Sequence, residues 1–271
     1  EAANTELKTR DINWKETHLP LALSRESGES TLYVTQHPMC SSLYYPNEPF
    51  LSRFVGLPEL VNLDFTIELE TTTLDEFCFQ EQISKADFIQ VDVQGADLEV
   101  LKGASKILEK SILAIQIEVE FASLYCDQPL FHHVDAYLRN LDFSLFDLQM
   151  ARRTRRNSPI QSKLHPGQIL WGEAFYFRDL ISKDCQFYSK KPEDILKLAC
   201  IADVMNFSDY ALELFEYLIM NYGQDQKYNF SDQIVQSLTV FPSLTEKGFK
   251  ELTIIQNLKP FMSNELWYNL P

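Results

Sequence analysis

Three carboxylates and one carboxamide in the middle of this chain are placed where they can act together. Asp92 ends the apolar run Phe88-Ile89-Gln90-Val91, and Gln94 follows two residues later. Glu118 and Glu120 end a second apolar run that begins at Ile112. Neighbouring carboxylates can take the proton of a hydroxyl as general bases, or offer hard oxygen ligands to Mg²⁺. The base reading leads, with Asp92 or Glu120 as the base and Glu118 as the weaker candidate, and no metal is expected. Acids are costly to bury and tend to mark function where they are deeply placed. The structural alternative is that Asp92 caps a turn and the glutamates reach solvent.

The element that must position these side chains is a strand–turn–helix–strand unit over residues 87–121. Gly95 is the residue type a sharp bend or a close backbone approach requires. Val100, Leu101, Ala104, Ile107 and Leu108 recur at helical spacing, which predicts one helix from Ala96 onward. Two strands joined by such a helix lie parallel. In open α/β sheets ligands bind beyond the carboxyl ends of the strands, and the acids fall at those ends.

Lys+Arg 24 against Asp+Glu 39 gives a net charge of −15. That balance argues against nucleic acid or an anionic membrane as the main partner, since both call for positive charge. The five cysteines, Cys40, Cys78, Cys126, Cys185 and Cys200, form no CxxC pair, so neither a zinc knuckle nor a disulfide framework is indicated. A reduced, cytoplasmic setting is the simplest reading. No apolar run approaches the roughly 18 residues of a membrane span, and no signal-peptide pattern is present.

Taken in order, Leu19–Leu23 and Thr31–Thr35 read as short strands around a turn at Ser27-Gly28-Glu29. Residues 37–62, rich in proline, read as a long ordered loop of the kind that often carries function. Phe65–Thr72 alternates as a strand and leads into a short helix. Pro129 marks the start of another helix, Phe143–Leu148 the next strand and Ala174–Phe177 the last. Between these two strands lies an irregular basic stretch, Arg152-Arg153-Thr154-Arg155-Arg156, whose arginines suit a phosphate or carboxylate on a substrate but also suit a solvated loop. His132 and His133 sit on a helix's first turn, where a solvent-facing role is the commoner one. Tyr44, Tyr45 and Phe50 are either pocket or core. From about residue 188 the pattern is helical to the end, with acids in the first turn after Pro192 as the helix dipole favours.

DFIQVDVQGADLEVLKGA, from Asp87 to Ala104, resembles the signature of the FkbM-type methyltransferases. The likeness continues through IQIEVEFASLY, YLRNLDFSLF and GEAFYF. Upstream, EAANTEL at Glu1–Leu7, LALS at Leu21–Ser24 and TLD at Thr73–Asp75 resemble further family segments in the family's order. It covers roughly residues 1–180. Gln94 and Asp97 stand where glutamate is commoner. No GxG occurs in the sequence, so the family's first strand and glycine-rich loop have no counterpart, and a truncated N-terminus is the favoured explanation.

The resemblance implies an α/β fold: a Rossmann-like class I methyltransferase sheet, N-terminally incomplete, with a C-terminal helical extension. The domains would be 1–187 and 188–271. It implies S-adenosylmethionine as cofactor and a hydroxyl of a small molecule or glycan as acceptor. Glu1 would accept hydrogen bonds from the ribose hydroxyls; Leu23 and Ser24 would flank the adenine. Asp92 and Gln94 would lie beside the transferring methyl group. The competing functions are a degenerate, non-catalytic family member whose helices mediate assembly, and a nucleotide-sugar-using transferase. A homo-oligomer is compatible with all three.

Overall fold

The computed structural model describes residues 14–185, 190–246 and 248–271. Their strands form two sheets. In the first, β1 (Ala22–Leu23), β3 (Leu63–Thr72) and β2 (Gly28–Thr35) lie in that order, with β1 parallel to β3 and β2 antiparallel to it. The second contains β4 (Phe88–Val91), β5 (Ala114–Glu120), β7 (Gln168–Phe177) and β6 (Ser144–Arg153), again in spatial order. β4 and β5 run parallel, with Phe88 opposite Ala114 and Val91 opposite Ile117. β7 is antiparallel to both its neighbours.

The connection from β4 to β5 is not the single helix that the periodicity predicts. It is broken into Asp97–Gly103 and Ser105–Lys110 around Ala104. Glycine is a weak helix former, and Gly103 lies against the end of β1: a Cβ there would stand 2.1 Å from the Ser24 carbonyl oxygen. The second helix is then started by a distant side chain. Asp75 accepts hydrogen bonds from the backbone amides of Lys106 and Ile107, at 2.8 and 2.9 Å, supplying the acceptors that a helix N-terminus lacks. Asp75 is itself placed by the Leu74–Gln80 helix, which Thr73 caps through the Glu76 amide.

One face of the second sheet carries Val91, Ile115, Ile117, Val119, Ala174 and Tyr176. These pack against the two helices after β4 and against Val134 and Leu138 of the Phe131–Arg139 helix. On the opposite face, alternate residues of β5 and β7 pair as Ala114–Phe177, Gln116–Phe175, Glu118–Glu173 and Glu120–Trp171. Its apolar end is covered by Ile195, Leu198, Leu214 and Leu218 from the helices Pro192–Val204 and Ser208–Tyr222. Its polar end, toward the strand termini, is where the glutamates lie. From Pro192 on, all described elements are helical, and they share a core with the sheet. The expected boundary at 187/188 lies outside the described residues.

Two strands are longer than their sequence pattern suggests. β6 runs to Arg153, so Arg152 and Arg153 are strand residues rather than part of an irregular stretch, and β7 begins at Gln168. Register shifts between Leu145 and Asp147 and between Ala151 and Arg152 break the two-residue period by which such strands are recognised. The 37–62 loop contains helical turns at Pro38–Cys40, Glu48–Leu51 and Pro58–Val61, each with proline in its opening positions. Leu51, Phe54, Leu57 and Val61 from these turns build a small core with Ala122 and Leu170, which anchors the loop over the ends of β5 and β7.

Candidate active site at the carboxyl ends of β4 and β5

The chain turns sharply after β4. Gln94 and Gly95 both take left-handed backbone conformations, with φ of 55° and 91°. Asp97, 2% exposed, holds this turn: its carboxylate accepts hydrogen bonds from the amides of Val93 and Gly95, each at 3.0 Å. Burial pushes the Asp97 carboxyl up to about 6, even though both backbone donors pull the other way. Glycine is required at 95 for space as well as for φ, because a Cβ would come 3.1 Å from the Tyr125 ring and 3.2 Å from Gln128.

Gln94 is the hub. Its side-chain amide donates to Asp92 Oδ1 at 2.8 Å and to Glu118 Oε2 at 2.9 Å, while its Oε1 accepts from the Tyr125 hydroxyl at 3.2 Å. Its backbone carbonyl accepts from Ser42 Oγ at 2.6 Å. These contacts stabilise a non-glycine residue in a conformation that costs of order 1 kcal/mol. They also account for a glutamine where glutamate is commoner in the signature. Unlike the acceptor-only glutamate, the glutamine NH₂ can donate to both carboxyl groups at once, and a third carboxylate between them would repel both.

Glu118 and Glu120 reach the same place because residues two apart on a strand share a face. Burial raises the Glu118 carboxyl to about 8, helped by the negative charges of Asp92 and Asp97. Glu120 is 3% exposed and is held well above the ordinary range, by burial first and by Asp97 and Glu118 next. Its Oε1 is buried without a hydrogen-bond partner among the described residues, as is Nε2 of nearby Gln128. Asp92 is the exposed member of the group.

These side chains line a cavity of about 320 Å³. Asp92, Gln94, Glu118, Glu120 and Tyr125 form its polar part; Leu51, Leu57, Leu60, Val61 and Leu124 are aliphatic, and Trp171 carries the Arg153 guanidinium 4.5 Å above its ring. A second cavity, of about 350 Å³, is lined by Ser24, Ser30, Thr31, Tyr33, Tyr44, Ala96 and Glu99 among others. Residues 4–145 match the model of the methyltransferase FkbM domain.

The chain belongs to the FkbM methyltransferase family. No curated protein and no solved structure matches it. Of the residues expected to act in this family member, the fold brings Asp92, Gln94, Glu118 and Glu120 into one cavity. Ser24 lines the other cavity, and Leu23 packs against the helix side of the sheet core. Glu1 lies outside the described residues. His133 is occupied structurally: its Nδ1 accepts from the Leu130 amide at 3.1 Å, and its ring stacks 3.8 Å from that of His132. Tyr44 lines the second cavity, whereas Tyr45 packs edge-on against Tyr33 and Phe50 against Phe54. Sequence reasoning missed Asp97 and Tyr125 as the groups that hold the hub, and Trp171 as a wall. Asp97 was recognisable as an acid two residues after a turn glycine; Trp171 depends on the register of β7 against β5, which leaves no local signal.

Proposed function

We propose that this FkbM-family protein is an S-adenosylmethionine-dependent O-methyltransferase acting on a hydroxyl of a small molecule or glycan. In this reading β4, β5, β7 and β6 form half of a Rossmann-like class I sheet over a domain 1–187, and residues 188–271 are its helical extension. The observation that carries it is the convergence of Asp92, Glu118 and Glu120, tied by Gln94, in one cavity at the strands' carboxyl ends.

The donor set fits the cofactor. A cavity lined by carboxyl groups, one of whose buried oxygens is unpartnered among the described residues, presents oxygen dipoles to a sulfonium cation, and Ser24 with Ala96 offers a second space for a nucleoside. When bound, S-adenosylmethionine supplies an electrophilic methyl group. The chain's own part is positioning and proton handling. Asp92, the accessible carboxylate, takes the acceptor hydroxyl's proton. Glu118 still carries its proton at neutral pH, so it does not add a second full charge beside Asp92. Gln94 fixes both carboxyl groups relative to the cavity, and the aliphatic wall excludes water from the reacting oxygen. The second reading is a family member without turnover, whose helices mediate assembly. A nucleotide-sugar transferase is the third.

Thermal denaturation of the full chain with S-adenosylmethionine, S-adenosylhomocysteine and nucleotide sugars separates the three. Ligand at a hundredfold its Kd stabilises by about 2.7 kcal/mol, a rise of roughly 5–10 °C for a chain of this size. We expect that rise with the two adenosyl compounds only. Asp92→Asn should keep the fold and the adenosyl-induced shift yet lose methyl transfer from labelled cofactor. No shift with either adenosyl compound, or full turnover in Asp92→Asn, overturns the assignment.

A further inference from the structure

The charge of the chain is unevenly distributed. Between Asp147 and Glu173 there is no acidic residue, while Arg152, Arg153, Arg155, Arg156 and Lys163 are all cationic, in a chain of net charge −15. This segment comprises the end of β6, the 154–167 connection and the start of β7. At the tip of the connection two large aliphatic side chains stand in solvent, Ile160 at 82% exposure and Leu164 at 86%. Val55, also exposed, lies alongside, since its amide donates to the Thr154 carbonyl at 3.1 Å.

The base of the connection is built rather than loose. Arg152 donates to the Gly167 carbonyl at 3.3 Å and Arg155 to the Gln168 side chain. Gly167 packs so closely on Arg153 that a Cβ would stand 2.5 Å from its carbonyl oxygen. The Ser158 and Ser162 side chains fold the tip through local hydrogen bonds. Among the described residues, only Arg156 of these cations pairs with a carboxylate, Glu59 at 3.0 Å. Arg152, Arg153 and Arg155 have no ion pair among the described residues, and Arg153 and Arg155 present their guanidinium groups over Trp171 and Phe54.

We propose that this face docks on an anionic phospholipid bilayer, with Ile160 and Leu164 entering the headgroup–acyl boundary and the arginines meeting lipid phosphates. Each half of the arrangement suits that partner. Basic side chains near an anionic leaflet each strengthen attachment about fivefold, and exposed aliphatics beside them add apolar burial. The acidic remainder of the molecule is repelled by the same surface, which fixes the orientation to this one face. Single-stranded nucleic acid fits less well, because the tip carries aliphatics where stacking on bases needs aromatic rings. Arg153 joins the patch to the cavity described above, so docking places that cavity next to the membrane. The proposal does not depend on what reaction the cavity performs.

The test is co-sedimentation of the full chain with vesicles of phosphatidylcholine alone and of phosphatidylcholine with 30% phosphatidylserine (about that fraction gives a strong surface potential), together with a single-stranded oligonucleotide titration. Expected are binding to the mixed vesicles only, weakening in high salt, and a drop of about tenfold or more in Ile160→Ser/Leu164→Ser. Arg152→Glu/Arg155→Glu should abolish it, with circular dichroism unchanged in both variants. Lack of binding to the mixed vesicles overturns the proposal. So does binding unaffected by the two serines, or oligonucleotide binding tighter than vesicle binding, because either assigns the patch to electrostatics or nucleic acid instead.

Discussion

Replacing Glu118 with glutamine isolates the electrostatics of the site. In the folded chain the Glu118 carboxyl titrates at about 8, against an ordinary value of 4.5. Between those two pH values the folded state holds a proton that the unfolded chain has lost, so Glu118 makes stability fall as pH rises across that window. Below 4.5 both states are protonated and the penalty vanishes; above 8 it is complete. At about 1.4 kcal/mol per pH unit the ceiling is near 5 kcal/mol. Glu118 is only partly buried and faces a cavity, so solvent reduces this to about 2–3 kcal/mol. Glutamine keeps the shape and still offers Gln94 an oxygen acceptor, but cannot ionise. Urea titrations at pH 5 and pH 9 should therefore show parent and variant alike at the lower pH. At the higher pH the variant should be more stable by that amount. If both proteins lose stability equally between the two pH values, or the variant is the weaker at pH 9, the ionisation of Glu118 does not govern this site.

Gly103→Ala sets helix propensity against packing. Alanine gains up to about 1 kcal/mol inside a helix, but its Cβ would stand 2.1 Å from a backbone carbonyl, and overpacking costs about 1–3 kcal/mol. The clash should win at this helix end, lowering Tm by roughly 4–8 °C in a thermal scan; an unchanged or raised Tm refutes the close packing of this helix on Ser24. Arg178, 2% exposed, donates to the carbonyls of Ile112, Leu108 and Leu141 and stacks 4.1 Å from the Phe143 ring. Arg178→Leu should cost about 3–5 kcal/mol, and Arg178→Lys should not restore it, since an ammonium group lacks the planar fork. A loss below 1 kcal/mol in urea titration would show that the three carbonyls find other donors.

Local chemistry alone specified the parallel pair β4 and β5, the turn at Gly95 and the placement of acids at strand ends. These follow from short-range rules: β-branched runs, a residue free to take positive φ, and the two-residue strand period that puts Glu118 and Glu120 on one face. The tertiary structure decided what those rules cannot carry. Gln94 looked like a loss of charge in the signature, and became the donor to two carboxylates only when β5 lay beside β4. Asp75 became a helix cap 31 residues away. Ser24, expected beside the adenine, lines a different cavity from the one that Asp92 lines, a separation that no local pattern predicts. Arg152 and Arg153 changed from a loop into strand residues, because backbone pairing with β7 outweighed a broken alternation. In each case the deciding energy is a contact between residues far apart in the chain, and single-sequence periodicity has no access to such contacts.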